Sequence, residues 1–87
     1  MDSPVLLILY VCGKTARSER ALMRARALPN CQLEVVDVLE NPELAERDQV
    51  LATPTLIRRE PPPLRRLVGD LADPEKLVSM IGCPHCL

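Results

Sequence analysis

Runs of apolar residues alternate with amphipathic stretches along most of this chain. Val5–Val11 (VLLILYV) is a continuous apolar run containing β-branched residues. A run this short and this uniform predicts a strand covered on both faces. The period changes in residues 14–28 (KTARSERALMRARAL). There Ala21, Leu22, Ala25 and Leu28 recur at helical spacing, and Arg17, Arg20 and Arg24 fall on another face. Pro29-Asn30 closes that helix. LEVVDVL (33–39) predicts a second strand, and a strand–helix–strand unit of this size implies a parallel pair with a right-handed crossover.

The second half is punctuated by proline. Asn41-Pro42 opens a short helix, with Asn41 placed to cap it and Pro42 suited to its first position. TPTLIRR (53–59) and LRRLV (64–68) predict two further strands, joined by the extended Pro61–Pro63. Gly69-Asp70 turns the chain. Asp73-Pro74-Glu75 then starts a last helix over 74–81, with Leu77, Val78 and Ile81 as its apolar stripe. The order βαβαββα, with Thr53-Pro54 before the third strand, predicts an α/β fold of thioredoxin-like arrangement. Residues 1–82 form one domain in this reading, and 83–87 form a cysteine-rich tail.

Composition narrows the possibilities. The chain has 87 residues, 47% of them apolar, with no Phe, no Trp and Tyr10 as the sole aromatic. The core has to be aliphatic, and a chain this small buries only about 60–65% of its unfolded surface. A net charge of −1 gives no global pull toward nucleic acid or anionic lipid, and one aromatic ring is no platform for stacked bases. Basic residues gather in 14–26 and acidic ones in 34–48, a polarity found more often on solvated faces than in binding devices. Val5–Val11 lacks a basic leader and is too short to span a bilayer. The expectation is a soluble, cytoplasmic protein with reduced thiols.

The candidate chemistry is Cys83-Pro84-His85-Cys86, a Cys-x-x-Cys pair with a filling used by oxidising thiol–disulfide enzymes. In thioredoxin-like enzymes such a pair opens the first helix, whose N-terminus stabilises a thiolate. Counting from Tyr10, those two positions hold Thr15 and Ser18, and Cys12 comes three residues too early. Hydroxyls do not ionise near pH 7, so Thr15 reads as a helix cap and no catalytic residue is expected. The tail leaves three readings: a plain tail, a metal- or thiol-reactive one, or a disulfide catalyst. Cys83, His85 and Cys86 offer three ligands, with Cys12 or Cys31 as a fourth, which is half of a zinc pattern. No metal and no cofactor is expected. Pro54 is expected to be a structural cis-proline.

Residues 35–78 closely resemble the KaiB family of circadian-clock proteins. The resemblance rests on Asp37-Val38-Leu39, Asn41-Pro42, Leu44-Ala45-Glu46, Leu51-Ala52-Thr53-Pro54-Thr55-Leu56, Pro61-Pro62-Pro63, Arg65-Arg66 and Gly69-Asp70-Leu71. LYVCGK and Arg20-Ala21-Leu22 extend it more loosely, so that it spans residues 5–81. It implies a non-enzymatic protein that docks on the ring ATPase KaiC and competes there with a thioredoxin-like sensor domain. It also implies two folds: a monomeric thioredoxin-like state, which binds KaiC, and a ground state with a rearranged C-terminal half. Asp73-Pro74-Glu75 favours helix at 74–81 and hence the thioredoxin-like state at rest, with the ground-state fold as the alternative.

Interface positions that tend to be basic in the family hold Glu34 and Glu40 here, while Arg20, Arg58, Arg65 and Arg66 keep basic character. CPHCL stands where the clock proteins carry an acidic tail. Arg20, Glu34, Arg58, Arg65 and Arg66 are therefore the candidate protein-binding residues. The partner expected is a KaiC-type ATPase or, for a paralogue, a different signalling or stress partner. No nucleic acid and no membrane is expected.

Overall fold

The computed structural model describes residues 4–69 and 71–81. The elements are β1 (Val5–Val11), α1 (Ala16–Arg26), β2 (Cys31–Asp37), α2 (Pro42–Arg47), β3 (Thr55–Glu60), β4 (Arg65–Val68) and α3 (Pro74–Ile81). They form one four-stranded sheet of order β2-β1-β3-β4. β2 runs parallel to β1, β3 runs antiparallel to β1, and β4 runs antiparallel to β3. This is the α/β, thioredoxin-like βαβαββα arrangement.

The uniform apolar pattern of β1 follows from its place. It is paired on both edges, and the pleat sends alternate side chains into two separate cores. Val5, Leu7, Leu9 and Val11 join Leu56 beneath α1 and α3, where Ala21, Ala25, Leu71, Leu77 and Met80 close the larger core. Ile8 and Tyr10 point the other way, with Val36 and Ile57, under Leu44, Ala45 and Val50 of α2 and the loop after it.

Several boundaries and side chains differ from expectation. α1 begins at Ala16, because Thr15 takes the cap position and accepts a hydrogen bond from the Ser18 amide. β2 begins at Cys31, two residues early, because β1 already offers a ladder there: Val5 aligns with Cys31, and its amide donates to the Asn30 carbonyl. Asn41 occupies the cap position of α2, but its side chain makes no capping bond. In α3, Asp73 caps through the Glu75 and Lys76 amides, as its type suggests. The buried stripe of α3 is Leu77 with Met80; Val78 is 44% exposed, since it lies about 100° round the helix from Leu77. The side chain of Ile81, and Asp70 of the predicted turn, lie outside the described residues. Among the described residues no helix is long and apolar enough to cross a membrane.

Candidate functional site

The end of the sheet where β1 and β2 stop is the place where this architecture can hold reactive groups. Gly13, at φ +65, supplies a backbone conformation that a residue with a side chain adopts only under strain. Its amide donates to Asp37 Oδ1, which also accepts from the Leu39 amide, so one carboxylate ties the β1–α1 loop to the end of β2. α1 starts immediately beyond. Thr15 Oγ1 accepts from the Ser18 amide at 3.1 Å and donates to Ser18 Oγ at 3.0 Å. The two positions of a reactive pair are thus joined by a hydroxyl–hydroxyl bond, with Ser18 buried and Thr15 exposed. The Thr53–Pro54 peptide bond is cis, as are Glu60–Pro61 and Pro62–Pro63. Gly69 donates to the Pro54 carbonyl at 2.9 Å, which anchors the end of β4 to the proline loop.

The two described thiols, Cys12 and Cys31, do not come together. Cys12 follows the last residue of β1 and Cys31 pairs with its first. Six strand residues separate those ends, about 20 Å, so the two cannot serve one disulfide or one metal ion. Cys31 is half-buried, and burial pushes its thiol pKa up, away from reactivity. Among the described residues no three His, Cys, Asp or Glu side chains cluster to hold a metal. Cys83, His85 and Cys86 lie outside the described residues.

A second cluster, on the α2 side of the sheet, has no counterpart in the sequence reading. Asp48, which caps the C-terminus of α2, is its hub. The Tyr10 hydroxyl donates to Asp48 Oδ2 and is within reach of the Leu44 carbonyl at 3.2 Å. Arg59 Nη2 donates to the same carboxylate at 2.7 Å, and Arg47 Nε at 3.3 Å. Arg66 donates to the backbone carbonyls of Asp48 and Gln49, where the helix terminus carries partial negative charge. Burial pushes the Asp48 carboxyl pKa up, but hydrogen bonds from Tyr10, Arg47 and Arg59 outweigh it and leave the group below its ordinary range. Burial, reinforced by the Asp48 charge, raises the pKa of Tyr10. One signal was legible: the sole tyrosine, in a strand expected to be covered on both faces, had to find a partner for its hydroxyl.

The five candidate binding residues fall into three settings. Arg20 is exposed on α1, which packs on β1 and β2, and Glu34 is exposed on β2, so both belong to the β2 half of the molecule. Glu34 helps to line a shallow depression with Leu6, Ile8, Gln32, Arg47 and Arg59. Arg65 and Arg66 lie on β4, at the opposite edge. Arg58 differs from the surface role expected of it. It is 3% exposed, with its guanidinium donating to the carbonyls of Pro63 at 2.9 Å and Met80 at 3.4 Å. β3 is an inner strand, and position 58 faces α3 across from Leu7, so a side chain there has nowhere to go but inward.

A thioredoxin-like sheet with hydroxyls at the start of α1 and no thiol within that helix defines a module of this fold that lacks the usual reactive pair. The KaiB domain model matches residues 8–83. The chain is 48% identical over 79 residues to a circadian clock oscillator protein KaiB from Parasynechococcus marenigrum, covering 84% of this chain and 76% of that protein. A KaiB from Prochlorococcus marinus is also 48% identical over 79 residues, covering 84% and 68%. The chain belongs to the KaiB family. Among solved structures, oxidised mitochondrial thioredoxin 3 of Saccharomyces cerevisiae superposes with a TM-score of 0.73 at 21% identity, covering 93% of this chain and 79% of that one. The N-terminal domain of Synechococcus elongatus SasA gives 0.74 at 23% identity, covering 92% and 82%. At these identities the two structures speak for the fold.

Proposed function

We propose that this chain is a non-enzymatic binding module whose β2 edge and neighbouring α1 face dock on a KaiC-type ring ATPase. The observation that carries the reading is KaiB family membership in a chain whose α1 start holds Thr15 bonded to Ser18 in place of thiols. Three further features support it. β2 is an edge strand, so one row of its backbone groups is left for another chain. Glu34 and Val35 are exposed along it. Arg20 stands on the helix packed behind it. Arg58 enters this function only indirectly, through the elements that it ties together.

The acidic character of β2 sets the specificity. Glu34 stands where the family resemblance expects a basic residue, and like-charge contact across an interface weakens the wrong pairing. Binding to a cyanobacterial KaiC hexamer, followed by biolayer interferometry, tests this. Glu34→Lys is expected to tighten binding about tenfold, the effect of replacing one repulsive contact by an attractive one. Arg20→Glu is expected to weaken it. Indifference to both changes, in folded variants, would show that the β2 edge is not the docking surface.

A further inference from the structure

The face of the sheet beneath α2 carries a trough that this helix is too short to cover. α2 has six residues, about 9 Å of helix, whereas β1 and β2 have seven each, about 23 Å of strand. Its side chains and the loop after it roof Tyr10, Val36 and Ile57. Towards the start of β1 the same face stays open. Leu6 is only partly buried there, and Gln32 and Glu34, which pair with Leu6 and Ile8 on β2, are exposed. The space measures about 460 Å³, within the range of small-molecule sites. Leu6 and Ile8 of the central strand line its floor, Gln32 and Glu34 one wall, and Arg47 and Arg59 the other.

The two walls carry opposite charges that do not meet. β2 and β3 flank β1, so they stand about 10 Å apart, and among the described residues no ion pair joins Glu34 to either arginine. The guanidiniums are only partly occupied. Arg59 uses Nη2 on Asp48, which leaves Nε and Nη1, and Arg47 uses Nε and Nη2 on the same carboxylate, which leaves Nη1. Two guanidiniums set against one carboxylate leave that wall with a single net positive charge. Such a wall suits a carboxylate better than a doubly charged phosphate, which Asp48 would repel. The opposite wall, with Glu34, suits an ammonium. The floor between them is aliphatic. The one aromatic ring of the chain is buried in Tyr10, so none is offered for stacking a nucleobase.

We infer that this trough is a binding site for a small aliphatic zwitterion of the dipeptide class. Its carboxylate accepts from Arg47 and Arg59, its ammonium donates to Glu34, and its apolar side chains rest on Leu6 and Ile8. An extended dipeptide spans roughly 7 Å, which lets its two charges reach opposite walls. In a single α-amino acid both charges sit on one carbon and reach one wall only. Glu34 also belongs to the edge assigned to the ATPase, but the site needs no ATPase to form, so the two readings stand or fall separately.

NMR of the full chain tests this, by titration with the dipeptide Ala-Leu, its N-acetylated form and its C-terminal amide at matched ionic strength. Ala-Leu is expected to shift the backbone amide signals of Leu6, Ile8 and Glu34 saturably. Loss of either charge on the peptide is expected to weaken binding by about fivefold or more, the effect of losing a charge-assisted hydrogen bond. Glu34→Gln is expected to abolish the preference for Ala-Leu over the N-acetylated form, and Arg47→Gln to reduce the preference over the amide. Glu19→Gln, on α1 across the sheet, is expected to leave all three affinities unchanged. Shifts that do not saturate, equal affinity for the three peptides, or a preference for the free amine that survives Glu34→Gln would each overturn the inference. The first two outcomes are read on the wild type alone, whatever the stability of the variants. None of them depends on ATPase binding, whose own test is the effect of Glu34→Lys on that interaction.

Discussion

Tyr10 has its ring fully buried on the central strand and its hydroxyl directed at Asp48 and the Leu44 carbonyl. As the sole tyrosine in a chain without tryptophan, it reports its own ionisation without interference. Burial and the Asp48 charge both favour the neutral phenol, so tyrosinate absorbance is expected to rise with a midpoint above 10, returning to about 10 in denaturant. Asp48→Asn is expected to lower that midpoint. It is also expected to destabilise the fold by about 1–3 kcal/mol, because Arg59 and Tyr10 lose a charged acceptor. The signs at the two ends of the pH scale are opposite. The folded pKa of Tyr10 is raised, so its contribution is full below about 10 and is lost as pH rises through the raised value. The folded pKa of Asp48 is lowered, so its contribution is full above the ordinary carboxylate value of about 4 and is lost as pH falls through the lowered one. Chemical denaturation of the wild type and of Asp48→Asn across pH 2–7 checks the acid limb, which should flatten in the variant.

The three helices begin with different degrees of support. Thr15 and Asp73 satisfy amides of α1 and α3 through their side chains, whereas Asn41 leaves those of α2 without that help. Thr15→Ala and Asp73→Ala are each expected to cost about 1 kcal/mol in denaturant unfolding, and Asn41→Ala close to nothing. α2 draws its support from its other end, where Asp48, Arg59 and Arg66 hold it to β3 and β4. The start of α1 keeps the geometry suited to a thiolate although it holds none. Thr15→Cys is therefore expected to yield a thiol with a pKa below the ordinary value of about 8.5, because the helix terminus favours the anion. Its alkylation rate against pH, in a background with the other cysteines replaced by serine, measures this directly.

Taken as a single folded body, the chain presents two unequal edges. β2 is long and mostly exposed on its outer side, while β4 is short and follows the proline connection. The thioredoxin-like state is expected to predominate in solution, because the Asp73 cap, Pro74 at the start of α3, and the burial of Leu77 and Met80 all favour helix there. Secondary chemical shifts should read helix over 74–81; strand over 76–81 would sink that expectation. Turbidity from insulin and dithiothreitol should not exceed that of the reductant alone, since the helix start that would house a reactive thiol bears Thr15 and Ser18. A fast turbidity rise that Cys83→Ser removes would instead assign the chemistry to the tail.

Periodicity and turn chemistry are local, and local patterns were enough to order the seven elements, to place Thr15 and Asp73 as caps, and to identify the loss of the thiol pair. They also carried the family resemblance, because runs such as Leu51-Ala52-Thr53-Pro54-Thr55-Leu56 are contiguous. Which arginine is buried was not legible in the same way. Arg58 and Arg59 are neighbours in the chain, yet the pleat sends one beneath α3 and the other to Asp48. The hub at Asp48 joins residues up to 38 positions apart, and the opposition of Arg58 and Arg65 depends on the register of two strands. Such pairings arise from packing between distant segments, and no pattern along the chain encodes the distance at which two side chains meet.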